Sequence, residues 1–446
     1  MAVKKILIIQ TDDMYFLHET MQVLSANARD LTDFELTLLV SPKALDVMKS
    51  IGFPLPSGTT TDIGKVLTTD FDLSFNLSLN EAAWQIHSEV KAGKKSGAFY
   101  QNNELLVNGT WSAWFLTFKG NTPFVTFHMR EIFRQILGLK KRNSEIESTA
   151  VAKTIIIGMS SADFFPKDEQ EAFLSGLVRR FPGIQVLDES EVNAENDHTS
   201  SLYVGPASMK ALVLCESGAR AIYFGSRFQG LNLLPEKEGT MLITTSGKKM
   251  DAQSLLGILE IILKEKEMKP AEHLNIYRLS MENVFGAYMQ NLSGKEISYP
   301  FYQAHLVLWN YLLALQDVNL DIVAPSPEQS EILGSQLEIV TKLTRLHDYA
   351  MVALDSVYKE AKSSESDAEK VSKSISTLTE VDETMEKIAA SNPFLRPVLD
   401  FYKIRKGQVE GETLLEKSQN SLLTYSEEHQ ALKAFAELLE AIRNKK

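Results

Sequence analysis

Short unbroken apolar runs, each followed by a polar loop and then by residues at helical spacing, recur through roughly the first 265 residues of the chain. The first is Ile6-Leu7-Ile8-Ile9. A strand that is apolar on both faces has to be covered on both, which is the condition of a parallel sheet between helical layers. The loop Thr11-Asp12-Asp13 leads into Leu17 to Ala28, where Leu17, Met21 and Leu24 share one helical face. Phe34 to Val40 and Phe71 to Leu77 read as further strands, and Pro42 after Ser41 suits the first turn of a helix. The charged stretch Leu139 to Glu145 reads as a linker. A second set follows, with strands at Thr154 to Ile157, Gly183 to Leu187, Ala221 to Phe224 and Met241 to Thr244. Its helices run through Phe173 and Leu177, from Ser208 to Cys215, and from Ser254 to Lys264, with Asp163 a candidate cap for the first.

The alternation stops near residue 298. Beyond it, Leu333, Leu337, Val340, Leu343, Leu346, Ala350, Leu354 and Val357 recur at steps of three and four, a long amphipathic helix. Residues 361–392 are rich in Ser, Glu and Lys, Asn392-Pro393 breaks that stretch, and Ala431 to Ile442 is a last helix. The predicted fold class is therefore α/β, with two Rossmann-like domains at 1–140 and 150–297 and a mostly α-helical extension at 298–446. The last helices of the second domain are expected to cross back toward the first. The extension reads either as a cap on the α/β body or as a module for an acceptor or protein partner.

Composition narrows the function classes. The chain has 446 residues, 44% hydrophobic and 23% charged, which is globular. Its 46 Lys and Arg against 58 Asp and Glu give a net charge of -12, unsuited to sequence-independent nucleic-acid binding. The single cysteine, Cys215, excludes an intrachain disulfide and a cysteine-built metal centre, and it lies in an apolar run that reads as core. The opening Met1 to Ile9 imitates a signal peptide but is followed by Gln10-Thr11-Asp12-Asp13, so it reads as a buried strand in a cytoplasmic protein. No run reaches about 18 apolar residues. There is no Walker-A sequence, no G-x-G-x-x-G, no G-x-S-x-G and no paired-histidine metal motif.

Two open sheets joined by a linker gather loops and helix N-termini around a cleft at their strand carboxyl ends, where phosphate-bearing ligands are favoured. Several stretches there resemble glycosyltransferase family nine, the ADP-heptose:lipopolysaccharide heptosyltransferases. They are Ile6 to Leu24; Phe71-Asp72-Leu73-Ser74-Phe75-Asn76-Leu77-Ser78; Ala83-Trp84, Gly97 and Trp111-Ser112; Gly158-Met159-Ser160-Ser161 to Phe165-Pro166; and Gly205-Pro206-Ala207-Ser208-Met209-Lys210-Ala211-Leu212 with Gly218 to Gly225. The resemblance implies the two-domain GT-B fold, a nucleotide-sugar donor such as ADP-heptose, a lipopolysaccharide-like or other glycan acceptor, and a bacterial setting in the cytoplasm, peripheral to the inner membrane. It is incomplete at the chemistry. Tyr203 or Val204 lies near the family's "D-T-G" aspartate, Lys210 stands where it has histidine, and Asp163 or Phe164 where it has the "K-R-W-P" lysine. The family's "L-G-D" has no clear counterpart, although Asp12 and Asp13 lie close.

Inverting sugar transfer needs a carboxylate near the acceptor hydroxyl and cations or N–H groups for the departing diphosphate. Asp13 and Asp12 are the base candidates, with helix capping as their alternative role. His18 is an acceptor-side candidate, or a packed histidine. On the donor side Ser160, Ser161, Lys210, Ser226 and Arg227 are candidates for the phosphates and ribose, and each also reads as a turn or surface residue. No metal or other cofactor is expected. Lys140-Lys141-Arg142 could touch anionic lipid, and Trp84, Trp111 and Trp114 could stack on a sugar or simply pack. The expected function is metal-independent glycosyl transfer. The competing class is a non-catalytic GT-B-like scaffold, to be favoured if bulky or acidic groups fill the second domain's strand ends. A third is another nucleotide-sugar enzyme such as an epimerase, to be favoured if paired carboxylates and a histidine meet at the cleft.

Overall fold

The computed structural model describes residues 3–50, 54–117, 124, 126–140, 152–158, 166–193, 196–225, 234–235, 240–245, 250–263, 274–280, 288–293, 296–314, 322–363 and 367–445. It has the expected α/β class, two Rossmann-like sheets followed by helices. In the first sheet β1 (Lys4–Gln10) lies between β2 (Phe34–Val40) and β4 (Asp70–Asn76), all parallel. β3 (Thr59–Thr60) and β5 (Lys91–Gln101) extend it in parallel on either side. β6 (Glu104–Asn108) returns antiparallel along β5, giving the order β3-β2-β1-β4-β5-β6. That β5–β6 hairpin turns on Asn102 and Asn103, both at positive φ (53° and 65°), the conformation a two-residue hairpin turn of the primed type requires. The chain reverses direction across the sheet between β1 and β4, which makes their carboxyl ends this sheet's switch point.

The second sheet has the order β13-β12-β11-β10-β9-β7-β8. β7 (Thr154–Ile157), β8 (Gln185–Asp188), β9 (Ser201–Pro206), β10 (Arg220–Gly225) and β11 (Met241–Thr245) are parallel. β12 (Leu274–Ser280) and β13 (Tyr288–Ser293) add an antiparallel edge. Here the switch point lies between β7 and β9. Neither antiparallel edge was expected from the sequence.

The first sheet carries α1 (Met14–Ala26), α2 (Pro42–Ser50), α3 (Ile63–Thr68), α4 (Glu81–Glu89), α5 (Thr110–Thr117) and α6 (Met129–Leu137). The second carries α7 (Lys167–Arg180), α8 (Met209–Glu216) and α9 (Ala252–Leu263). Pro166 sits at the N-cap of α7, and the candidate cap Asp163 lies outside the described residues. Cys215 is a buried core residue, as expected.

After β13 the chain is helical: α10 (Tyr299–Ala314), α11 (Pro327–Lys362), α12 (Ala368–Ser391), α13 (Arg396–Lys406) and α14 (Leu414–Arg443). α10, which falls in the stretch read as the helical extension, runs from the edge of the second sheet to the helices of the first. At its start the Tyr299 hydroxyl donates to the Met289 carbonyl (2.9 Å), and the Met289 N–H donates to the Tyr302 hydroxyl (3.1 Å), both on β13. At its end Trp309 is fully buried, with its ring 6.2 Å from Trp114 of α5 and 5.2 Å from Phe401 of α13. One continuous apolar cluster therefore joins the helices of the first sheet to the tail, from Phe115, Phe127 and Phe133 to Leu333, Val340 and Phe435. The polar stretch read at 361–392 is α12, which buries only the stripe Val381, Met385 and Ala389.

Two buried histidines are held neutral. Burial pushes His87 down to about 4, offset in part by hydrogen bonds to Ala98 and Ser74, and burial does the same to His305, also to about 4. The unfolded chain then binds more protons than the folded one between about 6.5 and about 4, so stability falls as pH is lowered through that window and levels off below it. Urea midpoints measured from pH 7 to 4 should show this decline. It should be shallower in His305→Phe, which keeps an aromatic ring against Phe124 and Phe435.

Candidate functional site at the carboxyl ends of the two sheets

At the β1/β4 switch point a web of polar groups ties the two strand ends together. Leu77 N–H donates to the Ile9 carbonyl (2.9 Å), Gln10 Nε2 to the Leu77 carbonyl (2.7 Å), and Thr11 N–H to Ser78 Oγ (2.9 Å). Asp12 closes the web. Its Oδ2 accepts from Leu79 N–H (2.7 Å) and its Oδ1 from Asn80 Nδ2 (2.8 Å). Asn80 also caps α4, and Trp84 of α4 donates from Nε1 to the Ser78 carbonyl (3.0 Å). Asp13 is exposed and caps α1, its Oδ1 accepting from Tyr15 N–H (3.0 Å) and Phe16 N–H (3.2 Å). Both base candidates thus stand at the expected strand end, and each has a structural task there. Trp84 packs beside the switch point, whereas Trp114 is buried edge-on against Phe127, 5.2 Å between ring centres.

His18 lies one turn into α1, fully buried, with Nδ1 3.0 Å from Glu19 Oε1. Glu19 is the centre of a cluster that sequence reasoning missed. The Arg130 guanidinium of α6 donates from Nε to Glu19 Oε2 (2.9 Å) and from Nη2 to Glu216 Oε1 (2.7 Å) on α8 of the second lobe. His128, which caps α6, reaches the Leu234 carbonyl of the second lobe with Nε2 (2.5 Å), while its Nδ1 accepts from Arg130 N–H (3.2 Å). Burial alone would raise the Glu19 carboxyl, but the Arg130 charge, the His18 hydrogen bond and the His128 charge outweigh it and hold it far below the ordinary value of 4.5. The cluster binds the lobes together. Met209 and Leu212 of α8 pack into the first lobe's apolar cluster beside it.

At the β7/β9 switch point, among the described residues, Tyr203 and Glu189 reach across the strand ends. The Tyr203 hydroxyl lies 2.9 Å from the Pro206 carbonyl and 3.2 Å from Glu189 Oε2, and its ring is buried. Burial raises the Tyr203 pKa well above its usual value and the Glu189 charge raises it further, so the hydroxyl keeps its proton to donate. A Cβ at Gly158 would sit 2.0 Å from that hydroxyl and 2.6 Å from Glu189 Oε2, and one at Gly205 would sit 2.4 Å from the Gly158 carbonyl. The glycines that resemble a phosphate-approach loop are needed here to admit Tyr203 and Glu189 and to let two strand ends touch. Lys210 is on the first turn of α8, whose N-cap is Ser208. It faces Asp188 at the end of β8, where the Ser190 hydroxyl and N–H, with Lys210 adding to them, hold the carboxyl below its ordinary value. Ser160, Ser161, Ser226 and Arg227 lie outside the described residues. Among the described residues, no group of three His, Cys, Asp or Glu is placed to hold a metal ion, and no helix is long and apolar enough to cross a membrane. Of the basic run proposed to touch lipid, Lys140 is exposed and the rest lies outside the described residues.

No protein-family model matches the chain, and no curated protein matches it. Among solved structures it is similar to Escherichia coli heptosyltransferase WaaC with ADP, at 10% identity and a TM-score of 0.37, covering 58% of this chain and 98% of that one. It is similar also to the same enzyme with ADP-2-deoxy-2-fluoro heptose, at 10% identity and a TM-score of 0.34, covering 57% and 99%. The likeness is one of fold, and no residue role follows from it.

Two outcomes check this geometry. Gly158→Ala should cost about 1–3 kcal/mol of stability, as overpacking does. The cost should shrink on a Tyr203→Phe background, because the added methyl meets the hydroxyl first; equal costs in both backgrounds would contradict the assignment. Glu19, with its pKa lowered in the folded state, contributes stability that is present above 4.5 and lost as pH falls below it. Glu19→Gln should therefore flatten the fall of the urea midpoint below that pH.

Proposed function

We propose that this chain is a two-lobed protein of glycosyltransferase-like architecture that serves as a binding scaffold and not as a sugar transferase. The observation that carries the reading is the Tyr203–Glu189 pair over Gly158 and Gly205. A diphosphate leaving group needs cations or N–H groups that are free to receive its charge. A carboxylate and a phenol ring at that position repel and obstruct it. Lys210, on the first turn of α8, faces Asp188. On the other lobe Asp12 has an N–H bonded to each carboxylate oxygen, and His18 has no exposure through which to meet an acceptor. The Glu19–Arg130–Glu216 bridge suits a fixed relation between the lobes, as a platform requires.

A second reading keeps the transferase. It is favoured by Asp13, whose carboxylate is exposed at the end of β1, and by Lys210 at the start of α8. In that reading Asp13 or Asp12 removes the acceptor proton in a metal-independent single displacement. The donor would be a nucleotide diphosphate sugar, a heptose by resemblance, and the acceptor a lipopolysaccharide-like or other glycan. Ser160, Ser161, Ser226 and Arg227 would complete the donor site.

Calorimetric titration of the full chain with ADP and with ADP-heptose, together with an assay for ADP release, separates the two. The scaffold reading expects no saturable heat at about 1 mM ligand, which corresponds to binding weaker than about 4 kcal/mol, and no ADP release. Saturable binding, or ADP release that Asp13→Asn abolishes, would establish the transferase instead.

A further inference from the structure

The tail contains a cavity of about 510 Å³ between α12 and α13, closed at its inner end by α14. That volume falls in the range of small-molecule sites, about 300–1,000 Å³. The space exists because α12 presents Ala389 and Ala390 where larger side chains would meet α13. Its apolar floor is Met385, Ala389 and Leu399, all buried.

Above that floor the walls alternate donors and acceptors. Lys403 Nζ lies 2.6 Å from Glu386 Oε1, bridging α13 to α12 at the rim, and Arg396 Nε donates to Asp400 Oδ2 (3.1 Å). Deeper in, Lys406 Nζ donates to Asp382 Oδ1 (2.7 Å) and lies 3.2 Å from Glu428 Oε2. Asp382 is fixed from behind by the Tyr425 hydroxyl, which donates to Oδ2 (2.6 Å), and the buried Glu428 has His347 Nε2 2.8 Å from its Oε2. The lining has four carboxylates (Asp382, Glu386, Asp400, Glu428) and three cations (Arg396, Lys403, Lys406), so its formal charge is close to zero. A phosphate finds no net positive field there and a polyamine almost no net negative one. A ligand whose every polar group both donates and accepts can bridge neighbouring carboxylates and cations without being repelled by either.

We propose that the groove between α12 and α13 binds a neutral polyhydroxylated ligand of the monosaccharide or cyclitol class, its apolar face on Met385 and Leu399 and its hydroxyls between the ion pairs. This site is separate from the switch points of the two sheets, and it stands whichever reading of them holds.

The test uses the full chain and ligand-observed NMR with calorimetry. The probes are glucose, galactose, mannose and myo-inositol, with inorganic phosphate and spermidine as the charged comparisons. Each is added at about 10 mM, where a site with a Kd near 1 mM is about nine-tenths filled. At least one neutral probe should bind saturably and in preference to the charged ones. Ala390→Trp, which fills the groove from an exposed position, should weaken that binding at least tenfold while leaving the unfolding midpoint near that of the parent. A second variant, Lys403→Met with Glu386→Gln, alters only the exposed rim pair and should weaken it several-fold. Absence of binding by every neutral probe, binding confined to phosphate or spermidine, or neutral-probe binding unaffected by Ala390→Trp would each overturn the proposal.

Discussion

Helix α10 couples the two α/β lobes because its two ends belong to different cores. Its first turn is hydrogen-bonded to the edge strand β13, while Phe301 and Trp309 lie in the cluster shared by the first lobe and the tail. Full burial of one aromatic or large aliphatic side chain is worth about 1.5–3 kcal/mol. Three such residues on one helix, Phe301, Tyr302 and Trp309, match a large part of the 5–15 kcal/mol by which a domain is usually stable. Swinging the lobes apart would therefore strip one end of α10 or the other. The helical tail is part of the same body, since the first lobe's helices α5 and α6 bury their apolar faces against residues that come after position 300.

Charge reinforces that coupling. A buried carboxylate such as Glu19 is tolerable only while a cation compensates it, and Arg130 does so while also holding Glu216 of the second lobe. Removing one partner of such a group costs about 3–5 kcal/mol, because the remaining charge stays buried. This links lobe position to the ionisation of a single carboxyl. Among the described residues, polar groups at both switch points are likewise bonded within the chain: Asp12 to Leu79 and Asn80, Tyr203 to Pro206 and Glu189. Preorganised donors assist a reaction when they await charge that develops in the transition state. Donors already matched to internal acceptors hold a fold in place instead.

The parallel strands were legible because complete burial leaves a continuous apolar run, as in Leu38 to Val40 or Ile155 to Ile157. β9 was not, since Ser201 to Pro206 ends in Gly-Pro and reads as a turn, and β5 begins with Lys, Gly and Lys-Lys, which hide its alignment with β4. The antiparallel edge β12, Leu274 to Ser280, mixes Asn and Arg into its apolar run and follows no turn motif that the sequence displays. At the site, Asp13 as a cap could be read from its place before a helix. The Glu19–Arg130–Glu216 cluster could not, because its members are 111 and 86 residues apart and each looks like an ordinary surface charge. One signal was present for the second lobe: Tyr203 or Val204 stands near the place where the resembling family has an aspartate, so no carboxylate was to be expected there.

The same physics explains why open volume is found in the tail. Switch-point residues sit where two strand ends converge, so a large side chain such as Tyr203 meets Gly158 and Gly205 closely. α12 and α13 are joined instead by long lysine side chains reaching from one helix to the other, with alanines beneath them. Ion pairs of that length hold helices at a separation that small apolar residues cannot fill. A groove held open by charges of both signs keeps its rim pair, Lys403 and Glu386, exposed, where a ligand's hydroxyls can replace water at little cost. Burial of the same charges without such access would demand the tight compensation seen around Glu19.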